Sequence, residues 1–126
     1  MRLLIGLSFV FVVIIATGIW ANHSLKTSTE ELLQNIDKIE QKLQSNQWDE
    51  AHLEFLELEN IWGGKSKWWP AILDHQEIDN IEFTMARAGA YIEQKSTPLA
   101  WGHLSELRLM MKHIPEKEAL KVINIF

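Results

Sequence analysis

Cysteine is absent from the 126-residue chain. Its absence excludes disulfide bonds, thiolate catalysis, zinc–thiolate sites and a lipoprotein-type lipid anchor. It is also compatible with a domain that folds outside the cytoplasm without depending on oxidation. Packing alone must then hold the fold, and six Trp, five Phe and many Leu and Ile supply enough apolar surface for one core.

Positive charge is scarce as well. Twelve Lys and Arg face seventeen Asp and Glu, which gives a formal net charge of −5. Apart from Arg2, every charged residue lies after position 25, so the folded part is acidic. No basic stripe interrupts this acidity, and phosphate backbones repel an acidic surface. We therefore expect no nucleic-acid partner.

A long uncharged run, from Leu3 to Ala21, occupies nineteen positions at the N-terminus. As a helix it spans roughly 30 Å, the thickness of the hydrocarbon core of a bilayer. Trp20 lies at its far end, where an indole prefers the membrane interface. A cleaved signal peptide is the alternative, but the apolar region of such a peptide is usually about 7–15 residues long. The length therefore favours a permanent anchor.

The predicted organisation is a single-pass protein of the cell membrane. Residues 1–22 form the anchor, with residues 3–21 in the membrane, and residues 23–126 form one acidic helical domain. Arg2 lies before the apolar run, while the first basic residue after it is Lys26. The positive-inside rule keeps Arg2 in the cytoplasm, so we expect the C-terminal domain to be extracytoplasmic.

Beyond the anchor, apolar residues recur at steps of three, four and seven, the spacing of one helix face. Neither Gly nor Pro occurs between Trp20 and Leu43, so the membrane helix is expected to continue into the domain. The predicted fold class is all-α, with an N-terminal transmembrane helix leading into an antiparallel four-helix bundle. The predicted core positions are Leu25, Leu32, Ile36, Ile39 and Leu43; Trp48, Ala51, Phe55, Leu58 and Trp62; Ile78, Ile81, Met85, Ala88 and Ile92; and Ala100, Leu104, Leu107, Met111 and Ile114.

Polar residues, Gly and Pro mark the expected helix boundaries. Asn46 is the expected N-cap of the second helix, which Gly63-Gly64 is expected to end. Pro70 is expected in the first turn of the third helix. Thr97 is the expected N-cap of the fourth helix, with Pro98 at its first helical position. Pro115 is expected to break the fourth helix.

The turn between the second and third helices is predicted to lie near the membrane. It carries Trp68 and Trp69 beside lysines. Adjacent residues cannot both face one core, so one Trp is expected to be partly exposed to a membrane or a protein; burial of both is the alternative. Arg87 is expected either to pair with an acid on another helix or to be solvated. Trp68, Trp69 and Arg87 are therefore the candidate interaction residues.

Four segments resemble a known family: Trp48–Ala51, Trp68–Glu82, Ala86-Arg87 and the terminal Asn124-Ile125-Phe126. With the apolar N-terminal helix, they make the chain similar to domain of unknown function 4363, a family of short single-span membrane proteins of Gram-positive spore-forming bacteria. The resemblance implies a membrane-attached helical domain of the cell envelope and a multi-span membrane protein as partner. It implies no activity, substrate or cofactor.

The segment around His75 carries the residues best suited to chemistry. His75 and Asp79 are four apart and share a helix face, and Glu82 lies on the same flank. Such a set binds a divalent metal if another helix adds His103 or His113. The alternative, which we favour, is an acidic flank whose His bonds its own i+4 carboxylate, because the Glu-x-x-His pairs of di-metal bundles are missing.

Catalytic motifs are missing from the chain. The serines are not on a nucleophile elbow, and Gly63-Gly64 lacks the strand and helix of a phosphate loop. We therefore expect a non-enzymatic, membrane-tethered interaction or scaffold module without cofactors. The alternative is a ligand- or metal-binding helical domain centred on His75–Glu82.

Overall fold

Every apolar seam of the sequence lies in an α-helix. The computed structural model describes residues 1–71 and 73–125, and the side chains among them up to residue 116. No strand occurs in these ranges, so the predicted all-α fold class is confirmed. The helices are α1 (Arg2–Gln44), α2 (Trp48–Lys65), α3 (His75–Glu93) and α4 (Thr97–Ile125), with a 3-10 helix at Trp69–Ala71.

Helix α1 is continuous over 43 residues, roughly 64 Å at the helical rise. Its C-terminal half packs into the domain, and Thr29, which interrupts the apolar seam, is buried with its neighbours. The Thr29 hydroxyl lies 3.0 Å from the carbonyl of Leu25 and 2.8 Å from that of Lys26, so its burial leaves no polar group unpaired. The predicted continuation of the apolar N-terminal helix into the domain is therefore present.

The N-terminal half of α1 lies outside the packed core, since the buried residues of this helix begin at Leu25. Its large apolar side chains, including Leu4, Phe9 and Ile14, are exposed. The helix is long and apolar enough to cross a membrane, and a signal sequence near the N-terminus shares these properties. An apolar helix is thus joined directly to the folded domain.

Four helices pack around one core. Helix α1 lies against α2 and α4, and α3 lies against α4, whereas α2 and α3 touch over a shorter stretch. All predicted core residues are buried except Trp48, which is half-buried against the core. Lys65 of α2 pairs with Glu31 of α1 at 2.7 Å, and Asn35 donates to the carbonyl of Glu54 at 2.8 Å. These contacts fix the antiparallel register of α2 on α1.

The boundary between α1 and α2 differs from the prediction. Asn46 has a φ of 56°, in the left-handed region that Asn tolerates better than most residues. The amides of Asn46 and Gln47 donate back to the carbonyls of Leu43 and Lys42. Helix α2 begins at Trp48 without a side-chain cap. The N-cap expected at Asn46 is wrong, because this residue closes α1 instead.

Helix α2 does not end at Gly63-Gly64. It continues through both glycines to Lys65, and neither glycine has a positive φ. The amide of Ser66 donates to the carbonyl of Trp62 at 2.7 Å. The chain thus leaves the helix through a right-handed turn, and a left-handed glycine is not needed.

Helices α3 and α4 also begin differently from the prediction. Pro70 lies in the 3-10 helix, and α3 begins at His75. The N-cap is Asp74, whose Oδ1 accepts a hydrogen bond from the amide of Glu77 at 3.1 Å. Helix α4 begins at Thr97, which is its first residue and not its cap.

Pro115 does not break α4, which runs on past it to Ile125. A proline inside a helix costs about 3 kcal/mol, because it lacks an N–H and crowds the preceding turn. Met111 and Ile114 in that turn are buried. Their packing holds the turn against the core and offsets the cost.

Gly89 brings α3 close to α2. A Cβ at this position would lie 2.6 Å from Cε1 of Phe55, whose ring is buried in the core. Overpacking of this kind outweighs the helix-forming advantage of alanine. We expect Gly89→Ala to lower the free energy of unfolding by roughly 1–3 kcal/mol, measured by urea unfolding in detergent micelles.

Gly102 is the matched control, since nothing lies within 4 Å of a Cβ added there. Gly102→Ala should raise the free energy of unfolding by about 0.5–1 kcal/mol. A leucine at position 55 leaves more room beside residue 89. Gly89→Ala should therefore lower the free energy of unfolding less in a protein that already carries Phe55→Leu than in the unmodified protein. Equal stabilisation by both Gly→Ala changes would contradict the close approach.

Candidate interaction surface

The two adjacent tryptophans after α2 have different surroundings. Trp69 is fully buried, with its ring edge-on to Trp62 at 5.1 Å and to Trp68 at 5.8 Å between centroids. Trp68 remains 38% exposed. The expectation that one of the pair is exposed is met by Trp68. Trp69 belongs to the core, which corrects its inclusion among the interaction residues.

Trp68 lies at the end of the bundle nearest the apolar half of α1. Its amide donates to the carbonyl of Lys65 at 3.1 Å, and Lys65 pairs with Glu31. Glu31 is ten residues beyond Ala21, or roughly 15 Å along the helix. The exposed indole therefore lies at the end of the bundle that faces the apolar segment.

Arg87 is exposed and interacts within its own helix. Its guanidinium donates to Oγ1 of Thr84 at 3.1 Å, and the Thr84 hydroxyl donates to the carbonyl of Asn80 at 2.8 Å. In the part of the chain with described side chains, Arg87 takes part in no ion pair. The solvated alternative therefore describes this residue better than interhelical pairing.

The arginine that joins two helices is Arg108 of α4. Its guanidinium pairs with the carboxylates of Asp37 and Glu40 on α1. Burial lowers the pKa of Arg108, but the hydrogen bonds and charges of the two carboxylates outweigh this and raise the pKa overall. In the sequence, Asp37 and Glu40 each follow a core residue of α1 and lie three apart, so they share one flank of the helix. This pattern could have indicated that they pair with a cation on a neighbouring helix.

The candidate metal ligands are not assembled into a site. His75 and Asp79 are exposed, and Oε1 of Glu82 accepts a hydrogen bond from Nε1 of Trp62 at 3.2 Å. The expected additional ligands have other partners: His103 stacks on Tyr91, and His113 lies 3.4 Å from Glu116. Over the described residues, no group of three or more His, Asp or Glu is arranged to hold a metal ion.

A surface that the sequence reasoning missed lies between α2 and α3. Two depressions there, of about 420 and 220 Å³, share His52 and Glu93 and thus form one continuous groove. Leu53 and Leu56, which are 65% and 45% exposed, line it from α2. We call this surface the α2–α3 groove; its apolar residues are Leu53, Leu56, Ala86 and Ala90, with Phe83 one turn before Ala86 on the same face.

The signal for this groove was a second apolar stripe on α2. The core residues of that helix include Ala51, Phe55 and Leu58, so Leu53 and Leu56 are off the seam. They are three apart and so lie side by side on the helix surface. Phe83 is similarly off the seam of α3 and is 60% exposed.

The rim of the α2–α3 groove is acidic. Asp49 and Glu59 line it from α2 and Glu93 from α3, while Lys95 is its one lining cation among the described residues. None of the three acids belongs to an ion pair within the described side chains. The groove therefore combines an apolar floor with a rim of net negative charge.

Residues 19–125 match the family model described as Domain of unknown function (DUF4363). The chain belongs to this family. The DUF4363 match covers all four helices of the bundle but only the end of the apolar segment. No curated protein and no solved structure matches the chain. Membership of the DUF4363 family assigns no activity, so function has to be argued from geometry.

Removal of the Arg108 side chain is expected to loosen α4 from α1. Arg108→Ala should lower the free energy of unfolding by about 1–3 kcal/mol, because the Glu40 carboxylate, only 14% exposed, loses its partner. Arg87→Ala is the control and should change stability by less than about 0.5 kcal/mol. Urea unfolding followed by circular dichroism measures both. A loss at Arg87 as large as that at Arg108 would contradict this assignment.

Proposed function

We propose that this DUF4363 protein is a single-pass protein of the cell membrane whose bundle lies outside the cytoplasm as a non-enzymatic interaction module. The continuity of α1 is the observation that carries the proposal. This helix passes from an exposed apolar segment into a packed core without a break. Whatever holds the apolar segment therefore also holds the bundle.

Lipid is the environment that suits the exposed half of α1. Placing a large apolar side chain such as Leu7 or Phe11 in lipid instead of water gains about 1.5–3 kcal/mol, and exposed residues of this kind recur from Leu3 to Trp20. The hydroxyl of Thr17 donates to the carbonyl of Val13 at 2.7 Å, so it enters lipid already paired. The backbone of a continuous helix is paired in the same way.

The bundle would stand directly on the membrane surface. Leu25, the first buried core residue, follows Ala21 by four positions, so no linker separates the two. Trp68 lies at this end, and an indole at the headgroup level is favourable. Arg2 before the span supports an extracytoplasmic bundle through the positive-inside rule.

An interaction role is supported by the surface of the bundle. The α2–α3 groove exposes apolar side chains that no described residue covers. An apolar groove with a polar rim is a common feature of protein-binding surfaces. Ligand or metal binding at His75–Glu82 lacks comparable support, because those side chains are not assembled into a site.

Introducing charge into the apolar segment should release the protein from membranes. Val12→Arg combined with Ile15→Arg adds about 2.5–3.5 kcal/mol per Arg to the cost of insertion. We expect the unmodified protein in the carbonate-washed membrane pellet and the double variant largely in the supernatant. Leu109→Arg, at an exposed position of α4, is the control and should stay in the pellet.

N-terminal sequencing of the membrane-bound protein separates an anchor from a cleaved signal. The mature chain should retain the apolar segment from Leu3 to Ala21. A mature N-terminus beyond Ala21, or intact protein in the supernatant, would contradict the anchor.

Trp68 is expected to contact lipid. In vesicles that contain brominated lipids, which quench nearby indoles, part of the tryptophan fluorescence should be quenched. Trp68→Phe should remove most of the quenching due to the bundle. Trp48→Phe, at the opposite end of α2, is the control and should leave it unchanged. Unaltered quenching in Trp68→Phe would place this side chain away from the membrane.

A further inference from the structure

We propose that the α2–α3 groove binds an amphipathic α-helix of a partner protein whose apolar stripe is flanked by Lys or Arg. This inference rests on the proposed interaction role of the bundle and names the chemistry of the partner. Its basis is the juxtaposition of the exposed Leu53 and Leu56 with Asp49, Glu59 and Glu93, which take part in no ion pair among the described side chains.

The α2–α3 groove as a whole has the length of a helix contact. Its lining on α2 runs from Trp48 to Glu59, eleven helical steps or roughly 16 Å, which is about three turns. On the other side, Ala86 and Ala90 are small and exposed, so a second backbone can approach α3 closely. A helix with apolar residues at i, i+3 or i+4, and i+7 presents a matching stripe.

The rim decides the charge of that helix. Asp49 and Glu59 lie on one wall and Glu93 on the other, so cations on both flanks of a docked helix would meet carboxylates. Lys95 lines only the larger of the two depressions, the one that also contacts Trp48. Electrostatic complementarity of this kind selects partners and accelerates their association.

The same charges disfavour two other occupants. A second copy of this chain would bring its own Asp49, Glu59 and Glu93 against the same three residues, and like charges brought together cost binding energy. Anionic lipid headgroups would be repelled for the same reason. A basic helix is the occupant that complements both the floor and the rim.

The test uses the full chain in phosphatidylcholine nanodiscs, which are zwitterionic and hold few basic peptides. The probe is a fluorescein-labelled helical peptide of about 14 residues with leucines at i, i+3 and i+7 flanked by lysines. A second peptide carries glutamates in place of the lysines. Fluorescence anisotropy should show saturable binding of the lysine peptide and at least roughly tenfold weaker binding of the glutamate peptide.

Variants locate the binding site. Leu53→Ser and Phe83→Ser should each weaken binding of the lysine peptide roughly tenfold while leaving every charge in place. Glu59→Gln combined with Glu93→Gln should weaken it and flatten its salt dependence. Leu109→Ser is the matched control, since Leu109 is 57% exposed but lies on α4; it should bind normally. All these side chains are exposed, so the fold should be unaffected.

Four results would overturn the proposal: no peptide binding by correctly inserted protein, equal affinity for both peptides, equal effects of Leu53→Ser and Leu109→Ser, or self-association that Leu53→Ser abolishes. The last result would assign the groove to a second copy. Failure of peptide binding by protein correctly inserted in nanodiscs would reject the groove and leave the membrane anchor standing. Failure to insert would instead reject the anchor.

Discussion

The arrangement of this protein depends on one uninterrupted helix. Helix α1 is apolar on all sides over its first half and amphipathic over its second, so a single rod joins an exposed apolar segment to a packed core. Helices α2 and α4 both pack on its amphipathic half. The chain from Trp20 to Leu43 contains no Gly or Pro at which the rod could bend. The orientation of the bundle is therefore coupled to that of the apolar segment.

Periodicity in the sequence predicted the core because burial acts on whole helix faces. Nineteen of the twenty seam positions are buried, and the exception, Trp48, lies in the first turn of α2. Boundaries were predicted less well, because a local preference can be overridden by packing. Gly63-Gly64 and Pro115 are both weak helix formers, yet buried neighbours such as Trp62 and Ile114 keep both segments helical.

Surface features were harder to predict, because they depend on which helix flanks meet. The sequence indicated that one of Trp68 and Trp69 is exposed, with burial of both as the alternative, but not which one enters the core. It left Arg87 either paired with another helix or solvated, whereas Arg108 joins two helices, since α4 presents it to Asp37 and Glu40. The α2–α3 groove has the same origin: exposed leucines form a groove only because α3 lies beside them.

Neighbouring helices of the bundle are not all joined by contacts of the same length. Arg108 joins α1 to α4, and Lys65 joins α1 to α2, whereas α2 and α3 share only a shorter contact. The open side is therefore the pair of helices that does not include α1. A helix seated there would lie roughly parallel to α2 and α3, and hence to α1, within the shallow angles of bundle packing. If α1 crosses a membrane, such a helix would stand upright on the same surface. A partner that extends a helix from its own membrane span meets this condition without bending either protein.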